Sequence, residues 1–121
     1  MAFSGKLKTI VTGCDNGTLA LTRVIDEDKS KYYEYFVGRV HSKRIMSVFI
    51  DEKTCRVYSI SEDKYLKVFD IESKQVIHEL YVSSKKLTAM LVDSEHGVAY
   101  IGDRKGSVGV VSLSSNPPML K

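Results

Sequence analysis

The stretch VHSKRIMSVFIDEKTCRVYSISEDKYLKVFD, residues 40–70, contains three short apolar runs at 45–50, 56–61 and 65–70, separated by acidic and polar turns. Runs of this length, rich in Val, Ile, Leu, Phe and Tyr, read as strands of an antiparallel meander. The same pattern continues outward on both sides. Runs at 8–13, 18–24 and 32–37 precede the stretch and runs at 76–81, 87–92, 98–102 and 107–113 follow it, which makes ten strands. No window of about 10–12 residues places apolar side chains at i, i+3, i+4 and i+7 between caps, so helices are not expected.

The runs also repeat. TGCDNGTLAL beginning at Thr12 aligns with SISEDKYLKV beginning at Ser59 and with IGDRKGSVGV beginning at Ile101. The turn positions Gly17, Lys64 and Gly106 recur at intervals of 47 and 42 residues. After each turn the chain alternates apolar, variable, apolar: Leu19 and Leu21, Leu66 and Val68, Val108 and Val110. A period of about 40–45 residues with four strands per unit is the signature of β-propeller blades.

Residues 40–70 resemble the WD-repeat family. His41 stands where that family has its Gly-His histidine, Ser59 and Asp63 match its second-strand serine and tight-turn aspartate, and Phe69-Asp70 replaces Trp-Asp. The resemblance implies a hydrogen-bond network joining His41, Ser59 and Asp63, with Phe69 contributing packing because it lacks an indole N–H. In the flanking repeats the matching sites hold Thr12, Asn16 and Thr22, and Ile101, Lys105 and Val111. DNGT and the later VAYIGDRKGSV are further similar to repeats of WD-repeat proteins that carry a FYVE zinc finger, although no finger sequence is present. The implied fold is all-β, made of antiparallel four-stranded WD-repeat-like blades in a partial β-propeller over residues 1–113. Blades are expected at about 7–37, 45–81 and 87–113, with a linker or tail over 114–121 carrying Pro117-Pro118. Ten strands make about two and a half blades, whereas a seven-bladed ring needs roughly 290 residues. The expectation is therefore a fragment, or a chain completed by missing blades, by copies of itself or by another polypeptide.

Composition narrows the function. At 121 residues, with 43% hydrophobic and 27% charged residues and two prolines, the chain has the makeup of one folded domain and not of a disordered segment. It contains no apolar stretch near the ~20 residues of a membrane span, and its start lacks the apolar region of a signal peptide. A cytoplasmic address is expected, with endosomal association as the alternative. Cys14 and Cys55 have no Cys or His at zinc-ligand spacing and read as reduced thiols. His78 and His96 likewise lack metal-spaced partners, and neither metal nor cofactor is expected. Asn16-Gly17-Thr18 is formally a glycosylation sequon, but Asn-Gly between strands is a preferred hairpin turn. GDRKGS at 102–107 lacks the spacing and the following helix of a phosphate loop. Tyr32, Tyr33, Tyr35 and Phe36 place aromatic groups on both faces of one strand, which points to packing.

The net charge of +3 is too small to indicate nucleic-acid binding. Its distribution carries more. In an up-and-down meander successive connections alternate between the two ends of the sheet. One end then collects eight basic residues (Arg39, Lys43, Arg44, Lys64, Lys85, Lys86, Arg104 and Lys105) against Asp15, Glu62, Asp63 and Asp103. The other collects nine acidic residues, Asp26, Glu27 and Asp28 among them, against four lysines. A basic face of this kind steers acidic or phosphorylated protein partners. The expected function is a non-catalytic interaction scaffold, not an enzyme. The alternatives are a phosphoinositide- or membrane-associated adaptor, in which the same face meets anionic lipid, and a self-assembling structural module.

Overall fold

The structure, a computed structural model, describes residues 1–26, 31–114 and 118–120, and these form three antiparallel four-stranded sheets with no helix among them. The first sheet runs in chain order through β1 (Ala2–Ser4), β2 (Thr9–Gly13), β3 (Thr18–Asp26) and β4 (Lys31–Arg39). The second comprises β5 (Ile45–Asp51), β6 (Arg56–Ser61), β7 (Tyr65–Asp70) and β8 (Gln75–Tyr81). The third comprises β9 (Leu87–Asp93), β10 (Val98–Asp103), β11 (Val108–Ser112) and β12 (Met119–Leu120).

Twelve strands replace the ten read from sequence. The additions are β1 and β12, three and two residues long, too short for period-two alternation to register. The first and third units are therefore complete four-stranded sheets. The segment read as a linker from 114 onward instead brings Met119 and Leu120 against Ser112 and Val111. Pro118, without an N–H, directly precedes that edge strand, where the ladder needs no donor from it. Glu27, Asp28, Lys29 and Pro117 lie outside the described residues.

Turn chemistry explains the hairpins. Gly17, Lys64 and Gly106 all take left-handed backbone, with φ of 87°, 78° and 91°. Each N–H closes its turn on the carbonyl three residues back, on Cys14, Ser61 and Asp103. At the opposite end Lys8, Cys55 and Gly97 repeat the same 47- and 42-residue intervals, again left-handed.

The middle sheet is covered on both faces. Val57 and Phe69 join Val11, Leu19 and Leu21 of the first sheet in one core. Tyr58, Ile60, Leu66 and Val68 join Leu87, Ala99, Ile101 and Val111 of the third sheet in another. The stack ends on an open face. Tyr58 and Leu66 are 4% and 0% exposed, whereas Tyr100 and Val108, at the same repeat positions, are 41% and 65% exposed.

Gly17 is the tightest of these turns. A methyl group there would collide with the carbonyls of His41 and Lys43. Gly17→Ala is expected to destabilise the fold by about 2 kcal/mol or more in urea titration. Lys64→Gly removes a strained side chain from the equivalent position and is expected to raise Tm by about 3 °C in calorimetry.

Candidate functional site

The connections β4–β5 and β8–β9 lie against the tight turns of their neighbours. The N–H groups of Val40 and His41 bond to the Gly17 carbonyl, Val82 N–H to Lys64, Glu62 N–H to Arg44 and Arg104 N–H to Lys86, at 2.8–3.1 Å. This stitching gathers at one end the loops that carry the eight basic residues.

Beneath that end lies a polar cluster. His41 Nδ1 is 2.9 Å from Asp63 Oδ2 and its Nε2 is 2.8 Å from Ser59 Oγ. Burial lowers the His41 pKa below its ordinary 6.5, outweighing the pull of the Asp63 carboxylate. The ring is therefore neutral near pH 7. Since ionised Asp63 only accepts, Nδ1 carries the proton and Nε2 accepts from the Ser59 hydroxyl. Burial alone would raise the Asp63 pKa, but His41 and the N–H groups of Tyr65 and Ser42, each 3.1 Å away, hold it below its usual value. The serine–histidine–aspartate geometry has the form of a hydrolase triad. Yet Ser59 and His41 are each 1% exposed, so the hydroxyl has no path to a substrate and the cluster braces the loops. Phe69 takes no part in these bonds; its ring packs 4.7 Å from that of Phe36, between the first and second sheets.

Two supports were not legible from sequence. Ser61, fully buried, accepts from Asp63 N–H and donates to the Lys43 carbonyl, both at 3.1 Å. Lys67, opposite Ser59 in the β6–β7 pairing, donates to the Val40 carbonyl at 2.6 Å and pairs with Glu79 at 3.3 Å. A lysine between Leu66 and Val68 looks like an ordinary solvent-facing strand residue. In the third repeat the cluster shrinks to Ser83 donating to Asp103 at 2.8 Å.

The eight basic residues divide into two groups. Arg39 donates to the carbonyls of His41 and Ser42 at 3.2 and 2.8 Å. Arg44 pairs with Asp15 at 2.9 Å, which tethers the β4–β5 connection to the first turn. Lys43 is exposed nearby. The other five, Lys64, Lys85, Lys86, Arg104 and Lys105, line with Ser84 one open concavity of about 450 Å³ between the second and third sheets. None of the five forms an ion pair with a described residue.

Among the described residues no group of three or more His, Cys, Asp or Glu is placed to hold a metal, and no helix is long and apolar enough to cross a membrane. His96 pairs with Asp93 at 2.7 Å on the surface. No protein-family model matches the chain, and neither does any curated protein.

The brace makes stability pH-dependent. Because folding lowers the His41 pKa, the unfolded chain binds a proton that the folded chain refuses once pH falls below 6.5. This contribution is complete above that pH and is lost as pH falls. Tm is expected to decline between about pH 7 and 5 in wild type. His41→Ala, which strands the Ser59 and Asp63 side chains, is expected to cost about 3 kcal/mol at neutral pH and to flatten that decline.

Proposed function

We propose that this chain is a non-catalytic interaction scaffold, part of a WD-repeat-like β-propeller, and that its basic end holds an acidic or phosphorylated protein partner. The observation that carries the reading is the convergence of five unpaired cations from three separate loops on one concavity. Unneutralised charge of one sign, held in a recess, focuses potential and raises the encounter rate with an anion. The neighbouring basic residues Arg39 and Arg44 are occupied in holding loops, so the concavity and not the whole end is the interaction surface. The buried His41–Ser59–Asp63 brace supports a binding role, because it fixes the loops without exposing a nucleophile.

A second observation favours a structural role beside the first. Leu91, Tyr100 and Val110 lie side by side on the open face of the third sheet, at positions whose counterparts in the second sheet pack into a core. In this reading a further sheet of the same kind covers that face, supplied by missing blades, a second copy or another chain. Mass that rises with concentration in sedimentation, and reverts in Val108→Glu, supports self-association; a concentration-independent monomer rejects it.

For the first reading, Lys85→Glu/Lys86→Glu is expected to abolish capture of an acidic peptide while leaving Tm within about 2 °C of wild type. Wild-type affinity is expected to fall steeply between about 0.05 and 0.2 M salt as screening grows. Unchanged binding in the double variant would refute the assignment.

A further inference from the structure

Lys64 is held in a conformation that its sister turns assign to glycine. Gly17 and Gly106 occupy the same repeat position with φ of 87° and 91°, and Lys64 matches them at 78°. A side chain there is disfavoured, because left-handed backbone brings Cβ close to the following carbonyl oxygen. The hairpin itself gains nothing from it, since the closing N–H bond is the same in all three turns. What Lys64 adds is a cation on the wall of the concavity, facing the charges of two other loops. Lys8 and Cys55 are left-handed at the position that Gly97 holds in the third repeat, so what distinguishes Lys64 is its place on the wall of the concavity.

The surroundings define the ligand. Asp103, the acid of the third turn, accepts from the Ser83 hydroxyl of the β8–β9 connection and from the N–H groups of Lys105 and Ser107 in its own turn, so both carboxylate oxygens are engaged. Ser84 is exposed, lines the same concavity and has no hydrogen-bond partner among the described residues. Five cations and a free hydroxyl lining one concavity match an anion with more than one charge and several acceptor oxygens. A phosphomonoester carries nearly two negative charges at pH 7 on three acceptor oxygens, whereas a carboxylate offers one charge and two oxygens. The distribution of the cations also favours a peptide over a bilayer, because basic residues that meet membranes cluster on one segment. Here they come from three separate connections around an open concavity of about 450 Å³.

We infer that the concavity between the second and third sheets binds a phosphomonoester carried on a peptide, with Ser84 donating to it and Lys64 as a specificity-determining cation. This rests on the reading of the basic end as the partner-binding surface.

The test uses the full chain and four probes read by fluorescence anisotropy and flotation. They are an acidic peptide with one phosphoserine, its unphosphorylated form, a charge-matched peptide with added glutamates, and phosphatidylcholine vesicles with or without phosphatidylserine. The phosphopeptide is expected to bind about tenfold tighter than the charge-matched peptide. Lys64→Gly is expected to weaken phosphopeptide binding about tenfold while raising Tm, a combination that a purely structural role does not produce. Arg104→Ala is expected to weaken binding similarly, and Lys53→Ala at the opposite end to leave it unchanged. Equal affinity for the phosphorylated and charge-matched peptides overturns the phosphate site and leaves the acidic-partner reading standing. Binding of neither overturns both. Retention on phosphatidylserine vesicles that excess phosphopeptide fails to displace overturns the peptide ligand in favour of a membrane.

Discussion

Val57 and Tyr58 are neighbours on β6, yet one packs into the core shared with the first sheet and the other into the core shared with the third. Adjacent strand residues point to opposite faces, so two apolar neighbours in sequence require cover on both sides of the sheet. All of β6 from Val57 to Ser61 is buried. The stacking of three sheets follows from that demand. The position of every loop follows from the stacking, because a meander whose sheets are packed face to face can place its connections only at the two ends.

The polar brace works within this frame. A histidine buried beside two apolar cores would destabilise the fold if either nitrogen were unpartnered. Here both ring nitrogens are matched, and among the described residues no buried side-chain polar atom lacks a partner. The brace joins the β4–β5 connection to β6 and to the β6–β7 turn, so the loop carrying Lys43 and the turn carrying Lys64 are held in one geometry. In the third sheet a single bond from Ser83 to Asp103 does the corresponding work. One end of the molecule is thus ordered by several side-chain bonds, and the basic residues on it are presented by fixed loops.

Much of this was legible in the sequence because the signals are local. Gly17, Lys64 and Gly106 declared the repeat by spacing alone, and all three proved left-handed. The residues expected in a hydrogen-bond network, His41, Ser59 and Asp63, do meet. Of the eight cations sorted to one end by the meander, five line a single concavity. What escaped has a physical cause in each case. Strands β1 and β12 are too short to show alternation, and their pairing depends on a neighbouring strand already formed. The separation of Arg39 and Arg44 from the other cations depends on carbonyls and a carboxylate brought close by the turns, which no charge count contains. Lys67 has the pattern of an exposed strand lysine, and its bond to Val40 becomes visible only once β7 is beside β6.

The open face and the basic concavity adjoin one another. A second hollow of about 390 Å³, beside the first, is lined by Lys85 and Lys105 together with Ile101, Val108 and Gly109. Val108 therefore borders both the exposed apolar surface and a hollow that Lys85, Lys105 and Asp103 also line. A sheet placed over Tyr100 and Val108 would remove water from one side of Lys105. Coulombic interactions strengthen as the local dielectric falls, so the same anion would be held more firmly in the covered state than in the open one. By linkage, an anion bound there would favour the covered state by an equal free energy. The exposed apolar surface and the basic concavity thus meet at the β10–β11 turn.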